Sequence, residues 1–430
     1  MKAICTLTPA ARTNLLLLFL FVFLTALAQP ATATIRYVTT SGTGAGTSWS
    51  DASSDLQAMI NASSNGDTVW VANGGYNSIG PSFEMKEGVK IFGGFTGTET
   101  SLSQRATITQ YACALYGNSG SPVFSGWLSA ASLLDGFTLN CIYNVNSAAT
   151  YANCFIIANW SGGGMQNFQS SSPVLYNCQF RSNFDKGIAI YDNSVVTCHN
   201  CTFAYNYQCA IWMNGGSAFL YNCTFSYNQG QGGAIGFDGG GVYAENCTFN
   251  NNTGESGGAI YGYSGSITVF KCNFNNNMCP SDGGGAIGAQ LAKTTVVNST
   301  ISGNTGRAGA IYSILSECYI NNCLINGNVG AAYTIYTDHF LTSYFIINST
   351  ISGNFGGPAI NGTAGLPTLY NTIVYNNTRG IEGGTATCYN SLVQGYNDIA
   401  NGNISGATDP MFIDMQMTTD PDFPNTAGDF

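Results

Sequence analysis

Asn222-Cys-Thr-Phe-Ser-Tyr-Asn228 is answered 24 residues later by Asn246-Cys-Thr-Phe-Asn-Asn-Asn252, and then by Lys271-Cys-Asn-Phe-Asn-Asn-Asn277. The same phrase, or its variant Asn298-Ser-Thr-Ile-Ser-Gly-Asn304, recurs from Asn177 to a frayed copy at Asn390 at intervals that mostly fall between 22 and 27 residues. A fixed period in this range marks a solenoid, whose coils gain a core only by stacking on one another. Within each copy the Phe or Ile and the small residue two places before it share one face of a strand, because strand side chains alternate. Further upstream the apolar residues sit five and seven places before that Phe or Ile, as in Val242 and Ala244, Ile267 and Val269, Cys318 and Ile320. An odd shift turns an apolar set outward in a straight strand, so the chain must bend between the two segments.

The residue at that bend is nearly always Asn, which tolerates the left-handed conformation of a tight corner and bonds to neighbouring backbone. Stacking would align these residues as an Asn ladder, and the second Asn column, Asn183 to Asn377, is expected to make a second corner. A Gly-rich loop then leads into a third strand, as in Gly232-Gly-Ala-Ile235, Gly257-Gly-Ala-Ile260 and Gly284-Gly-Ala-Ile287. Three short strands and three corners per coil predict an all-β parallel β-helix, and roughly ten such coils make a rod about 50 Å long. Helix is excluded through the repeats by Gly, Asn and β-branched residues.

These phrases, with Tyr37-Val-Thr-Thr-Ser-Gly-Thr-Gly44, Gly88-Val-Lys-Ile-Phe-Gly-Gly-Phe95, Leu134-Asp-Gly-Phe-Thr138 and Gly162-Gly-Gly-Met165, resemble the right-handed parallel β-helix proteins exported by Bacteroidetes-type bacteria. The GGAI and FxxN phrases are also similar to those of chlamydial polymorphic outer-membrane proteins. The resemblance implies a right-handed helix and export, and says little about activity.

Residues 1–28 read as a secretory signal, with Lys2 and Arg12 ahead of the apolar run Leu15 to Leu24 and small residues at Ala26-Leu-Ala28. The protein is expected to be extracellular or on the outer-membrane surface, without a transmembrane segment once the signal is removed. Residues 29–408 are read as one β-helix domain with irregular first coils, and 409–430 as a truncated closing segment. Asp51 to Ser63 is expected to cap the first coil, with Leu56, Met59 and Ile60 on one helical face and Asp51 as an alternative N-cap. Strands are expected at Thr68–Ala72 and Val89–Phe95.

Loss of the signal takes Lys2 and Arg12 from the 12 basic residues, leaving 10 against 22 acidic ones, a net charge of −12. Nucleic acid is therefore excluded as a partner. Charged residues make up only 8% of the chain, so its exterior is largely neutral Asn, Gly, Ser and Thr, which favours neutral polymers. Of the cysteines, Cys178, Cys201, Cys223, Cys247 and Cys272 occupy one inward column and are expected to be free, since stacked Cβ vectors are aligned and poorly placed for bridging. Cys141, Cys154, Cys209, Cys279, Cys318 and Cys388 lie off that column, and their pairing is open. Cys198-His-Asn-Cys201 lacks two further ligands for zinc. The tail aspartates Asp409, Asp414, Asp420 and Asp422 lack a calcium-repeat spacing and are read as turn chemistry. No cofactor is expected.

Catalysis on sugars needs two facing carboxylates, or a base beside a carboxylate cage. Asp185, Asp192, Asp238, Glu245, Glu255, Asp282, Glu317, Asp338 and Glu382 scatter over different columns, and Lys271, Lys293, Arg307 and Arg379 have no cluster in register. His199 and Glu245 share a column two coils apart, better read as an outward His and a Glu paired with Lys271. The residue after each Ala-Ile start points outward, and there the chain places Tyr191, Trp212, Tyr261, Tyr312 and Tyr336, interrupted by Gly236, Gly288 and Asn361. An aromatic file of this kind stacks on sugar rings without needing charge. The expectation is a structural, adhesin-like binding protein whose partner is an extracellular polysaccharide or a host or cell-surface glycan, with a polysaccharide lyase or glycoside hydrolase on the same scaffold as the alternative.

Overall fold

The computed structural model describes residues 33–411 apart from 119–120, 161, 339–343, 362–366 and 383–385. The expected signal (1–28) lies outside this set, as does all but the start of the closing segment, with Asp414, Asp420 and Asp422. Among the described residues no helix is long and apolar enough to cross a membrane.

The repeats wind into a parallel β-helix with three strands per coil. In the coil that contains the second repeat these strands are Ile188–Tyr191, Val195–His199 and Thr202–Ala204. The third strands stack into a 14-stranded parallel sheet, more rungs than the ten expected because the irregular N-terminal coils add their own. First and second strands belong to one 27-stranded sheet, since they fuse in places such as Ile260–Phe270. Phe180, Phe203, Phe225, Phe249 and Phe274 pile directly on one another, with ring centroids 4.6 to 5.1 Å apart. The file continues through Ile301, Ile325, Ile351 and Val374.

The first corner bends as expected, but the ladder expected there is confined to separate pairs such as Asn177–Asn153 and Asn322–Asn298. Asn177, Asn200, Asn222, Asn246, Lys271 and their successors to Asn390 all adopt φ between 48° and 55°. At the second corner the left-handed residue is instead the one before the closing Asn, namely Ser182, Tyr205, Tyr227, Asn251, Asn276, Gly303, Gly327, Gly353 and Asn376. That turn swings the closing Asn inward, and there the continuous ladder forms. Asn252 Nδ2 donates to Phe225 O at 3.1 Å and to Asn277 Oδ1 at 2.9 Å, while Asn252 Oδ1 accepts from Asn228 N and Nδ2 at 3.0 and 2.9 Å. Side-chain amide links of 2.8 to 2.9 Å run without a break from Asn183 to Asn377. Burying an amide is tolerable only when its donors and acceptors are used, and each of these is used.

All fourteen described cysteines are free and buried. The thiol column also contains Cys154 and Cys323, two residues before Ile156 and Ile325, so Cys154 belongs to the column from which the sequence spacing excluded it. Burial pushes the Cys178 thiol well up and Cys318 to about 12, so both stay protonated. At the N-terminal end a helix, Leu56–Ala62, packs Leu56 and Ile60 onto the core. Its N-cap is Asp55, which accepts from Ala58 N at 2.9 Å. Asp51 is engaged elsewhere, holding Thr47 Oγ1 at 2.7 Å.

Candidate functional site

After the Asn ladder each coil must turn back onto the first sheet, and the Gly-Gly-Ala-Ile phrase does this with backbone packed on backbone. A Cβ on Gly257 would collide with the Ile260 carbonyl oxygen, and one on Gly284 with that of Ile287. In the coils from Met278 to Ala332, where the loop after Asn277 is longer than its neighbours, the wall opens into a cleft of about 890 Å³ lined by Met278, Pro280, Asp282, Thr305, Arg307 and Val329.

Arg307 is central to it. Its guanidinium carbon lies 5.7 Å from the ring centroids of both Tyr312 and Tyr336, which stack on each other at 4.8 Å and 13°. Tyr333 abuts Tyr336 at 5.3 Å and 42°. Arg307 Nη1 pairs with Asp282 Oδ2 at 3.4 Å, and the Asp282 side chain is 82% exposed. A solvated ion pair of this kind is worth about 0–1 kcal/mol, so a ligand can replace Asp282 at small cost. Tyr336 OH donates to Asp338 Oδ2 at 3.2 Å. Burial first, and then the Asp338 charge, push Tyr336 up to about 12, so its hydroxyl stays a neutral donor at ordinary pH. Burial also raises Tyr312, against the opposing pull of Arg307. Tyr333 is raised by burial and by Glu382, which in turn pairs with Arg379 at 3.3 Å. Rings, two guanidiniums and three carboxylates thus share one neighbourhood. Among the described residues no group of three or more His, Cys, Asp or Glu is arranged to hold a metal ion.

Of the five aromatics singled out by sequence, the structure stacks Tyr312 on Tyr336 against the Arg307 guanidinium, beside the cleft that Arg307 lines rather than in its wall. Tyr261 lies on the same column two coils earlier, with Gly288 between it and Tyr312, and its hydroxyl meets Gln290 Oε1 at 3.3 Å. Trp212 is also on the column, its ring lying over the gap left by Gly236. Tyr191 is not. Ile188 pairs with Ile211, so Ala189 faces Trp212 and Tyr191 faces Asn214. In Gly187-Ile-Ala-Ile190 two isoleucines share one parity, and the stack selects the first. Tyr191 instead stacks on Phe168 at 5.0 Å.

His199 lies between Tyr176 and Tyr221, 5.0 Å from each ring. Glu245 accepts from Tyr243 OH at 3.0 Å rather than pairing with Lys271, whose ammonium lies over the Phe270 ring. Sequence reasoning missed Asp282, Arg307, Tyr333, Asp338, Arg379 and Glu382 as a group. Their approach depends on loops of unequal length, where the register between Thr305–Ile314 and Val329–Asp338 shifts twice.

The family described as "Right handed beta helix region" matches residues 99–249. No curated protein matches the sequence. Among solved structures, pectate lyase Pel9A is similar at 14% identity over 88% of this chain and 82% of its own, with a TM-score of 0.34. The catalytic unit of the GH87 alpha-1,3-glucanase from Streptomyces thermodiastaticus strain HF3-3 is similar at 12% identity over 84% and 68%, with a TM-score of 0.38. The polygalacturonase from Erwinia carotovora ssp. carotovora is similar at 12% identity over 84% and 98%, with a TM-score of 0.27. The chain is a right-handed parallel β-helix with a short N-terminal helix.

Proposed function

We propose that this is an exported or cell-surface β-helix protein, adhesin-like in role, that binds polysaccharide at the Arg307 cleft. The observation that supports this reading is the convergence of Tyr312, Tyr333 and Tyr336 with a guanidinium whose ion pair, among the described residues, is with an exposed carboxylate. Aromatic side chains give a sugar an apolar platform, and Arg307, Asp282 and the Tyr336 hydroxyl supply the hydrogen-bonding groups that orient it. A glycan array and affinity electrophoresis on the mature chain test the reading. Arg307→Ala and Tyr336→Ala should each weaken binding about tenfold, the scale of one aromatic or charged contact, with unchanged thermal melting for Arg307→Ala. Wild-type binding profiles in both variants would remove the cleft from consideration.

A second reading, cleavage of the bound polymer, draws on the Tyr336–Asp338 pair lying in the same neighbourhood as Arg307. A phenol that stays protonated can serve as an acid, and a carboxylate beside it can hold it in place. Incubation with neutral and uronate polysaccharides decides between the two readings: new reducing ends or absorbance from unsaturated products mean catalysis, and intact polymer on a retained complex means binding alone.

A further inference from the structure

The residue that follows each ladder Asn points out along one edge of the rod, and these residues form a file that passes through the cleft and continues beyond it. At the cleft the file consists of Met278, Thr305 and Val329, joined by parallel bridges. Towards the N-terminus it continues through Thr253 and Gln229, which pair with each other, and Thr253 bridges to Met278. It then changes character. Tyr207, Phe184 and Trp160 occupy the next three rungs as a stack, with centroids 5.5 and 4.0 Å apart and planes within 7°. Trp160 is 75% exposed, so the indole face turned away from Phe184 is open to solvent.

This exposure is held in place rather than left to chance. Phe184 N donates to Asn159 O at 2.8 Å, and Asp185 Oδ2 accepts from Gly162 N at 2.8 Å, so the backbone is pinned on both sides of the indole. Asp185 is itself neutralised by Lys186 at 2.7 Å. Beside the stack a second exposed pair, Tyr205 and Tyr227, lies ring on ring at 5.1 Å. A shallow hollow lined by Tyr205, Tyr207, Tyr227 and Gln229 separates the two files. The edge from cleft to stack therefore presents rings, amide and hydroxyl, with no unpaired charge in the file itself. A stacked ladder covers the faces of its inner rings, and the terminal ring is the one with a face to offer a sugar.

We infer that the polysaccharide proposed for the cleft runs along this edge, parallel to the rod axis, and that Trp160 is its distal subsite for an uncharged sugar ring. The inference rests on the cleft reading and adds a site, a direction and a ligand class to it. From Val329 to Trp160 the file climbs seven rungs of about 4.8 Å, a span of about 34 Å that only a polymer can bridge. Two weak contacts on one chain reinforce each other through effective concentration, so length, rather than the strength of either contact, sets the affinity.

Soluble neutral polysaccharides (laminarin, dextran, xylan and mannan) and their di- and trisaccharides provide the test, read by tryptophan fluorescence and affinity electrophoresis, with size-exclusion chromatography alongside. Wild type should bind at least one polymer far more tightly than its short oligosaccharides. Trp160→Ala should lose about tenfold on the polymer and nothing on the oligosaccharides, Trp160→Phe should recover part of the loss, and Arg307→Ala should weaken both. Wild-type polymer affinity in Trp160→Ala overturns the inference and leaves the cleft standing. Equal binding of long and short chains by wild type does the same. Absence of binding to every carbohydrate sinks both ideas, and a Trp160→Ala effect confined to self-association assigns the stack to a second copy of the chain instead.

Discussion

The coils from Asn177 to Asn277 and those from Asn298 to Asn377 follow one backbone path with two different interiors. In the first group the core file is Phe, the column two residues before it is Cys, and the left-handed residue of the second corner is Ser, Tyr or Asn. In the second the file is Ile or Val, the column is mostly Ser or Thr, and the corner is mostly Gly. The polar bookkeeping differs accordingly. Ser299 and Ser349 hydroxyls accept from Cys272 N and Cys323 N at 3.0 and 3.1 Å and donate to their own coil at 2.8 and 2.7 Å. In the Cys coils the corresponding contact is the longer 3.4 Å one from Cys223 N to Cys247 Sγ, and stacked rings take over the cohesion. One fold thus tolerates two solutions, provided that each coil meets a neighbour of its own kind or passes through a hybrid such as Asn273–Asn275 on Thr300–Ser302.

Core truncation should separate the two groups most strongly. Phe249→Ala is expected to cost about 4 kcal/mol in chemical denaturation and Ile325→Ala about 3, the excess reflecting two lost ring stacks. Equal losses would mean that the Phe stack adds nothing, since the larger ring alone should leave the larger cavity. The Asn ladder should ignore the boundary altogether: Asn252→Ala and Asn328→Ala are each expected to cost about 3 kcal/mol, because each strands buried donors and acceptors on neighbouring coils. A large inequality between them would show that the amide chain is not continuous in energy. The smallest effect belongs to the small-residue column. Ser349→Cys exchanges a good N–H···O bond for a poor N–H···S one and should cost about 1 kcal/mol, whereas Cys247→Ser should be near neutral within about 0.5 kcal/mol, read from denaturation midpoints at constant m.

The fold was legible because stacking repeats the same demand at every rung. Phe203, Phe225 and Phe249 announce a file, and Asn200, Asn222 and Asn246 a left-handed corner, from spacing alone. Errors arose where two residues satisfied the same demand equally well. Ile188 and Ile190 both fit an inward position, which displaced Tyr191, and Tyr205 and Asn206 both fit a corner, where exposure decided for Tyr205 and burial for Asn206. The cleft was half legible. Tyr312 and Tyr336 follow from strand parity, but Arg307 inside its strand, Asp282 in a loop and Glu382 at a strand end belong to no repeated column. Trp160 escaped notice for a related reason: it follows Asn159, which lies ahead of the first full copy of the phrase.

Because every rung of the amide ladder offers the same donor above and acceptor below, whole windings are interchangeable parts. Excising Asn228 through Asn251 would join Tyr227 to Asn252 and give Asn206 a new partner of the same kind. The protein would lose one storey of about 4.8 Å and keep its joints. The distance between the indole at one end and the guanidinium at the other is therefore adjustable in fixed increments, like holes on a strap, by gene duplications or deletions that leave both endpoints untouched.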